Sequence, residues 1–321
     1  MTYDPLTFRP CTFHDAVPRF IDGSDTPRAF LERCLEVIAA REPVVRAWVT
    51  INEEGARAAA DAATARYRAG RQLSRIDGMP VGIKDILQTK DMPTEQGTPL
   101  FKGVQTRTDS ASVLALRQAG AVVVGSVIRP AGFCANTAIK PTFGAIHRGE
   151  RLGFSQSHIG VHAGCLQDMW SVAFEMSQRC GGDPGHPGLY GEAAPHPARK
   201  PQRLIVMEAE GWSQTDSRTM GGFETILGQL RDAGVTILRR TDSPLIEGFE
   251  QAIGISLALC RDICGYELRW TLENLIERFR SGLSDSMMSR LDLARSMSID
   301  DYRLALVQRG AARRAFAAVA G

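Results

Sequence analysis

Lys84 and Ser126 are the side chains of this sequence whose settings best suit covalent chemistry. Lys84 closes the apolar run Val81-Gly-Ile-Lys84 and is followed by Asp85-Ile-Leu. A lysine has a reference pKa of ~10.4, and it serves as a base only when burial or a neighbouring positive charge brings that to ~7–8, a differential of roughly 4 kcal/mol. An apolar strand end suits that task. Ser126 follows Val122-Val-Val-Gly125, and glycine beside a nucleophile lets a carbonyl oxygen approach backbone N–H donors, the nearest being those of Val123, Val124 and Gly125. The plain alternatives are a solvated lysine and a turn serine. What surrounds each residue must decide.

The elements that would position them read as α/β. A helix is expected over 27–40, started by Asp25 or Thr26 ahead of Pro27, and a second over 55–69 closed by Gly70. Residues 47–51 read as a short strand between them. The segment 78–85 reads as a turn entering a strand that ends at Lys84. A helix over 110–119, capped by Gly120, leads to a β-branched strand at 121–125. Downstream, 165–180 reads as a helix ended by Gly181-Gly182, and 203–207, 217–232 and 235–238 repeat a strand, helix, strand order. From 247 onward the pattern is helical, with breaks near Gly282 and Ile299. The organisation expected is an N-terminal part over 1–182 carrying both segments, a Pro- and Gly-rich loop over 183–202, and a C-terminal part of the same domain over 203–321.

Composition removes other classes. The chain has 321 residues, an apolar fraction of 44%, and 38 Lys+Arg against 36 Asp+Glu, for a formal charge of +2. That is a globular composition with no field strong enough to point to nucleic acid or an anionic membrane as partner. The first twenty residues hold Asp4, Arg9, His14, Asp15 and Arg19 without an apolar core, which argues against a secretory signal and for a cytoplasmic protein. Seven scattered cysteines read as reduced thiols. Cys260 and Cys264 share a helix face, yet two ligands do not make a zinc site. His158 and His162 lack the glutamate of an H-E-x-x-H motif, so no metal is expected there. Arg129 reads as a structural ion-pair or hydrogen-bonding group near Ser126, because guanidinium does not deprotonate.

Three segments together resemble the amidase signature family of serine amidohydrolases: Gly78-Met-Pro-Val-Gly-Ile-Lys-Asp85 with Asp91-Met-Pro-Thr94; Gly125-Ser-Val-Ile-Arg-Pro-Ala-Gly-Phe-Cys134 with Ile139-Lys-Pro-Thr-Phe-Gly144; and, more weakly, Ser155-Gln-Ser157, Gly160-Val161 and Asp168. The resemblance implies a mixed β-sheet flanked by helices and a Ser-Ser-Lys arrangement, in which one serine attacks an amide carbonyl, a second on a cis peptide relays its proton, and a neutral lysine accepts it. Lys84 matches the lysine and Ser126 the nucleophile. The implied reaction is hydrolysis of a small-molecule carboxamide through an acyl-serine, with no metal or organic cofactor.

The sequence departs from that pattern where it matters. Between the helix ending at Ala119 and Ser126 the family carries several dozen residues, including the relay serine, whereas only Gly120-Ala-Val-Val-Val-Gly125 stands here. The expectation is an internally deleted, C-terminally shortened relative that lacks part of the central sheet. Residues 123–126 fit either the strand before the missing block or the oxyanion loop after it. A direct Ser126–Lys84 dyad would have to replace the relayed triad. The rival reading is an inactive amidase-like module for binding, homo-oligomerisation or association with another subunit.

Overall fold

A computed structural model describes residues 11–127, 136–149, 154–279 and 282–320. The chain divides into two compact units, Met1–His196 and Pro197–Gly321. The division falls inside the stretch read from sequence as a loop.

The first unit is built around a three-stranded mixed sheet of order β1-β3-β2, comprising β1 (Trp48–Ile51), β2 (Pro80–Lys84) and β3 (Val122–Val127). β3 is central, antiparallel to β1 and parallel to β2. Helices α1 (Phe13–Asp22), α2 (Pro27–Val45), α3 (Glu53–Arg68), α4 (Ala111–Gln118) and α5 (Leu166–Cys180) accompany it. Their ends follow the local chemistry. Thr26 accepts from the Ala29 N–H with Pro27 in the first turn, and Asn52 accepts from the Gly55 N–H. Glu53 and Glu54 open α3 while Arg66 and Arg68 close it, which complements its dipole. Gly120 follows α4 at φ 89°, and a Cβ there would collide with the fully buried Asp77.

Alternation along β3 divides the apolar side chains between two clusters. Val122 and Val124 pack with Leu31 and Leu35 of α2, Ala56 and Ala60 of α3, and Trp48 of β1. Val123 and Ile83 belong to the larger cluster, with Phe13, Phe20, Phe30, Tyr67, Met169 and Met176. Small alanines at helical spacing let α3 approach the sheet closely, and the four rings of Phe13, Phe20, Phe30 and Tyr67 interlock at centroid separations of 5.5–6.0 Å. Each such ring removed from water contributes roughly 1.5–3 kcal/mol. A second, two-stranded antiparallel sheet joins β4 (Thr137–Ile139) to β5 (Val161–Ala163).

The second unit opens with a parallel pair, β6 (Arg203–Ile205) and β7 (Thr236–Leu238), bridged by α6 (Ser217–Asp232). Among the described residues, helices α7 (Pro244–Ile253), α8 (Ser256–Phe279), α9 (Asp285–Ser296) and α10 (Ile299–Ala320) follow. Leu259 and Ile263 of α8 and Ala305 of α10 form a small core, beside which Tyr266 and Tyr302 stack at 4.4 Å. The helical region begins at Pro244 rather than 247, and Gly254 adds a break to those expected near Gly282 and Ile299. The architecture is α/β with small mixed sheets and many helices.

Candidate functional site

Lys84 ends β2, and Ser126 lies next to last in β3, so the parallel pairing of these strands brings both segments side by side. The strand runs through Val127 rather than ending at Gly125, and this places Ser126 in the sheet rather than in a loop. The residues directly across from each other are Ile83 and Ser126, then Lys84 and Val127. Successive side chains in a strand point to opposite faces. Ser126 therefore shares the face of Ile83, toward the larger apolar cluster, and Lys84 stands on the other face. Burial follows the same division: Ser126 is 2% exposed, and Lys84 is exposed.

One extra residue produces this arrangement. Val81 pairs with Val123, but Gly82 pairs with Gly125, so Val124 bulges out of register. Continuous pairing from Val81 and Val123 would have set Ser126 across from Lys84, on the same face. A bulge puts two consecutive residues on one side and reverses the alternation beyond them. The glycines at the bulge are needed because Trp48 covers them. A Cβ at Gly82 would lie 3.1 Å from Trp48 Cη2; one at Gly125 would lie 2.8 Å from Trp48 Cε3 and inside the van der Waals shell of the Thr50 carbonyl oxygen. The space beside Gly125 is occupied by β1.

The hydroxyl of Ser126 is buried and has no hydrogen-bond partner among the described residues. Such an orphaned group costs ~1–3 kcal/mol relative to a satisfied one. Val123, Val124 and Gly125 lie in the central strand with neighbours along both edges, and the Val124 carbonyl accepts from the Asn52 N–H at 2.8 Å. Their backbone groups face the ladder rather than an open cleft. Arg129 and the stretch 128–135 lie outside the described residues. No cis peptide bond occurs among the described residues.

Sequence reasoning passes over Asp85. Its N–H donates to the Val127 carbonyl, one carboxylate oxygen accepts from the Glu95 N–H at 2.9 Å, and the other is buried with no partner among the described residues. A carboxylate next to an apolar strand end is the signal that points to it. A cavity of about 370 Å³ opens just beyond, lined by Ile86 to Gln88, Thr108 to Ala111 and His147 to Gly149. Neither Lys84 nor Ser126 lines it. On its wall, His147 Nδ1 accepts from the Gly149 N–H, which leaves the ring proton of the neutral form on Nε2.

Arg148 anchors the same wall. Its backbone N–H and its Nε donate to the two carboxylate oxygens of Asp183, its Nη1 donates to the Phe154 carbonyl at 2.6 Å, and its guanidinium lies 4.2 Å from the centre of the Phe143 ring. Burial opposes ionisation of Asp183, but the amide and guanidinium of Arg148 outweigh it and hold the carboxyl below its usual range. This pair fixes the Phe143-Gly144 segment.

Known proteins place these observations in a family. Residues 29–126 match the family model described as Amidase. A glutamyl-tRNA(Gln) amidotransferase subunit of Chloroflexus aggregans (strain MD-66 / DSM 9485) is 38% identical over 105 residues, which cover 33% of this chain and 22% of that protein. The chain thus matches about a fifth of the length of that curated relative. Among solved structures, an amidase crystal structure covers 94% of this chain and 78% of its own at TM-score 0.73 and 21% identity. A structure described as a vestigial protein complex that reveals the evolutionary origins of an s-triazine catabolic enzyme covers 94% and 78% at TM-score 0.72 and 17% identity. At such identities the structural likeness speaks for fold alone, and it is residues 29–126, the segment carrying Lys84, that match the Amidase family.

Proposed function

We propose that this chain is an amidase-family scaffold, descended from enzymes that hydrolyse carboxamide C–N bonds through an acyl-serine, in which the Ser126–Lys84 pair is not assembled and the remaining role is association with a partner protein or a second copy. The observation that carries this reading is the register. A base must come within ~2.6–3.2 Å of the hydroxyl it deprotonates, and residues on opposite faces of one sheet are separated by the backbone itself. The buried Ser126 hydroxyl, which has no partner among the described residues, and the exposed Lys84 are consistent with it. No residue of the sequence matches the relay serine, and loss of one member of such a unit removes most of its catalysis.

Association draws support from the second unit, where Leu257 and Trp270 of α8 and Leu304 and Val307 of α10 are each more than half exposed. The relative that carries the matching segment is named as one subunit of an amidotransferase, and one structural neighbour is described as a complex. Among the described residues no helix is long and apolar enough to cross a membrane. The second reading, a working amidohydrolase with Ser126 as nucleophile and Lys84 as base acting on a small amide without a cofactor, draws its support from the family segment at 29–126.

A turnover assay separates the two. Incubating the purified chain with a panel of aliphatic, aryl and peptide carboxamides and measuring ammonia or amine release is expected to give no rate above buffer. Turnover abolished equally by Ser126→Ala and Lys84→Ala would establish the hydrolase instead.

A further inference from the structure

The outward face of α10 carries a regular seam. Asp300, Leu304, Val307, Ala311, Arg314 and Ala318 recur at alternating spacings of four and three residues, which aligns them along one side of the helix. All six are exposed, Leu304 and Val307 by more than half. The opposite side is already in use: Ala305 is buried, Tyr302 and Leu306 pack against the small core, and the Phe316 ring lies 5.6 Å from that of Phe249 on α7. We propose that this seam is where the association inferred above takes place: α10 pairs antiparallel with α10 of a second copy about a two-fold axis at Val307, an inference that rests on that reading.

The order of charges along the seam selects the occupant. Asp300 stands one heptad before Val307, and Arg314 one heptad after it. In an antiparallel pair centred on Val307, Asp300 of each copy meets Arg314 of the other, so one surface satisfies itself twice, as an isologous contact requires. A parallel pair would set Asp300 against Asp300 and Arg314 against Arg314. Opposed helix dipoles favour the antiparallel orientation as well. Arg303 pairs with Asp300 within its own helix at 3.0 Å, and this exposed contact leaves the carboxylate accessible to a second guanidinium.

Side-chain sizes fit the same register. Leu304 of one copy comes level with Gly310 and Ala311 of the other, so a large side chain faces small ones, and the two Val307 side chains meet at the axis. One helix pair buries less than the ~1,600 Å² of a standard interface, so the dimer is reversible and depends on concentration.

Sedimentation velocity of the full chain over a dilution series tests this. The wild type is expected to form a reversible dimer that Val307→Glu abolishes. Asp300→Arg and Arg314→Asp are each expected to weaken the dimer roughly tenfold or more, and the two together to restore it. All three positions are exposed, so the fold is expected to persist, and far-ultraviolet circular dichroism checks this. A wild type that stays monomeric overturns the proposal, as does a double reversal no tighter than the single ones. A dimer that Val307→Glu leaves intact rejects this face while keeping the association reading, whose own failure would appear as amide turnover in the assay above.

Discussion

Ser126 lies directly across from Ile83, and Lys84 directly across from Val127, so the two residues that the sequence singles out as nucleophile and base stand on opposite faces of one sheet. The relationship depends on one bulged residue, Val124, and on the glycines beside it, which admit the Trp48 ring. Stability measurements can therefore probe the site even without turnover.

Ser126→Ala removes a buried hydroxyl that has no partner among the described residues and leaves a methyl group beside an apolar cluster. The expected effect is a gain of ~1 kcal/mol in unfolding free energy by urea titration. Lys84→Ala, at an exposed position, is expected within about ±0.5 kcal/mol of wild type. A hydroxyl held in a working hydrogen-bonded unit would give a loss on Ser126→Ala.

Gly125→Ala tests the bulge. The new methyl would meet Trp48 Cε3 at 2.8 Å and the Thr50 carbonyl, and the latter is backbone that cannot rotate away. Destabilisation of ~1–3 kcal/mol is expected, with quenching or a shift of Trp48 fluorescence if the ring is displaced. A neutral result would mean that β1 does not cover this position.

Asp183 gives a pH dependence. Its carboxyl is held below its usual value in the folded chain, because Arg148 outweighs the effect of burial. A group with a depressed folded pKa contributes stability that is complete above its unfolded pKa, ~3.9, and is lost as pH falls through the folded value. Asp183→Asn is thus expected to cost about 3 kcal/mol at pH 7, the cost of leaving a largely buried arginine without its partner. The difference from wild type should shrink as pH falls below ~4. A difference that stays constant on acidification from neutral pH through that range would contradict the assignment.

Much of the scaffold is legible in the sequence because its punctuation is local. Thr26 with Pro27 opens α2, Gly120 closes the end of α4, and Cys165 with Gly181 brackets α5, all of them signals within a few residues of the helix end they mark. The helix at Phe13–Asp22 has local caps too, Thr12 accepting from the Asp15 N–H and Gly23 at φ 79°, but Pro18 interrupts its apolar pattern, and its first N–H groups donate to Asp168, more than 150 residues away. The pairing of β4 with β5 escapes a local reading, because strands of three residues carry too little alternation. For the site, the sequence shows which segments meet but not how. Val122-Val-Val124 fits either face at every position, so nothing local marks Val124 as the bulge. Its placement comes from Trp48, in a strand more than seventy residues earlier.

The most direct measurement of the central claim is the reaction of Ser126 with a serine-directed acylating or phosphonylating probe in the folded chain, read by mass spectrometry of the peptide that contains it. The account predicts that Ser126 stays unmodified while circular dichroism reports a folded protein. Stoichiometric modification at Ser126, lost on Lys84→Ala, would contradict it and place both residues in one working site.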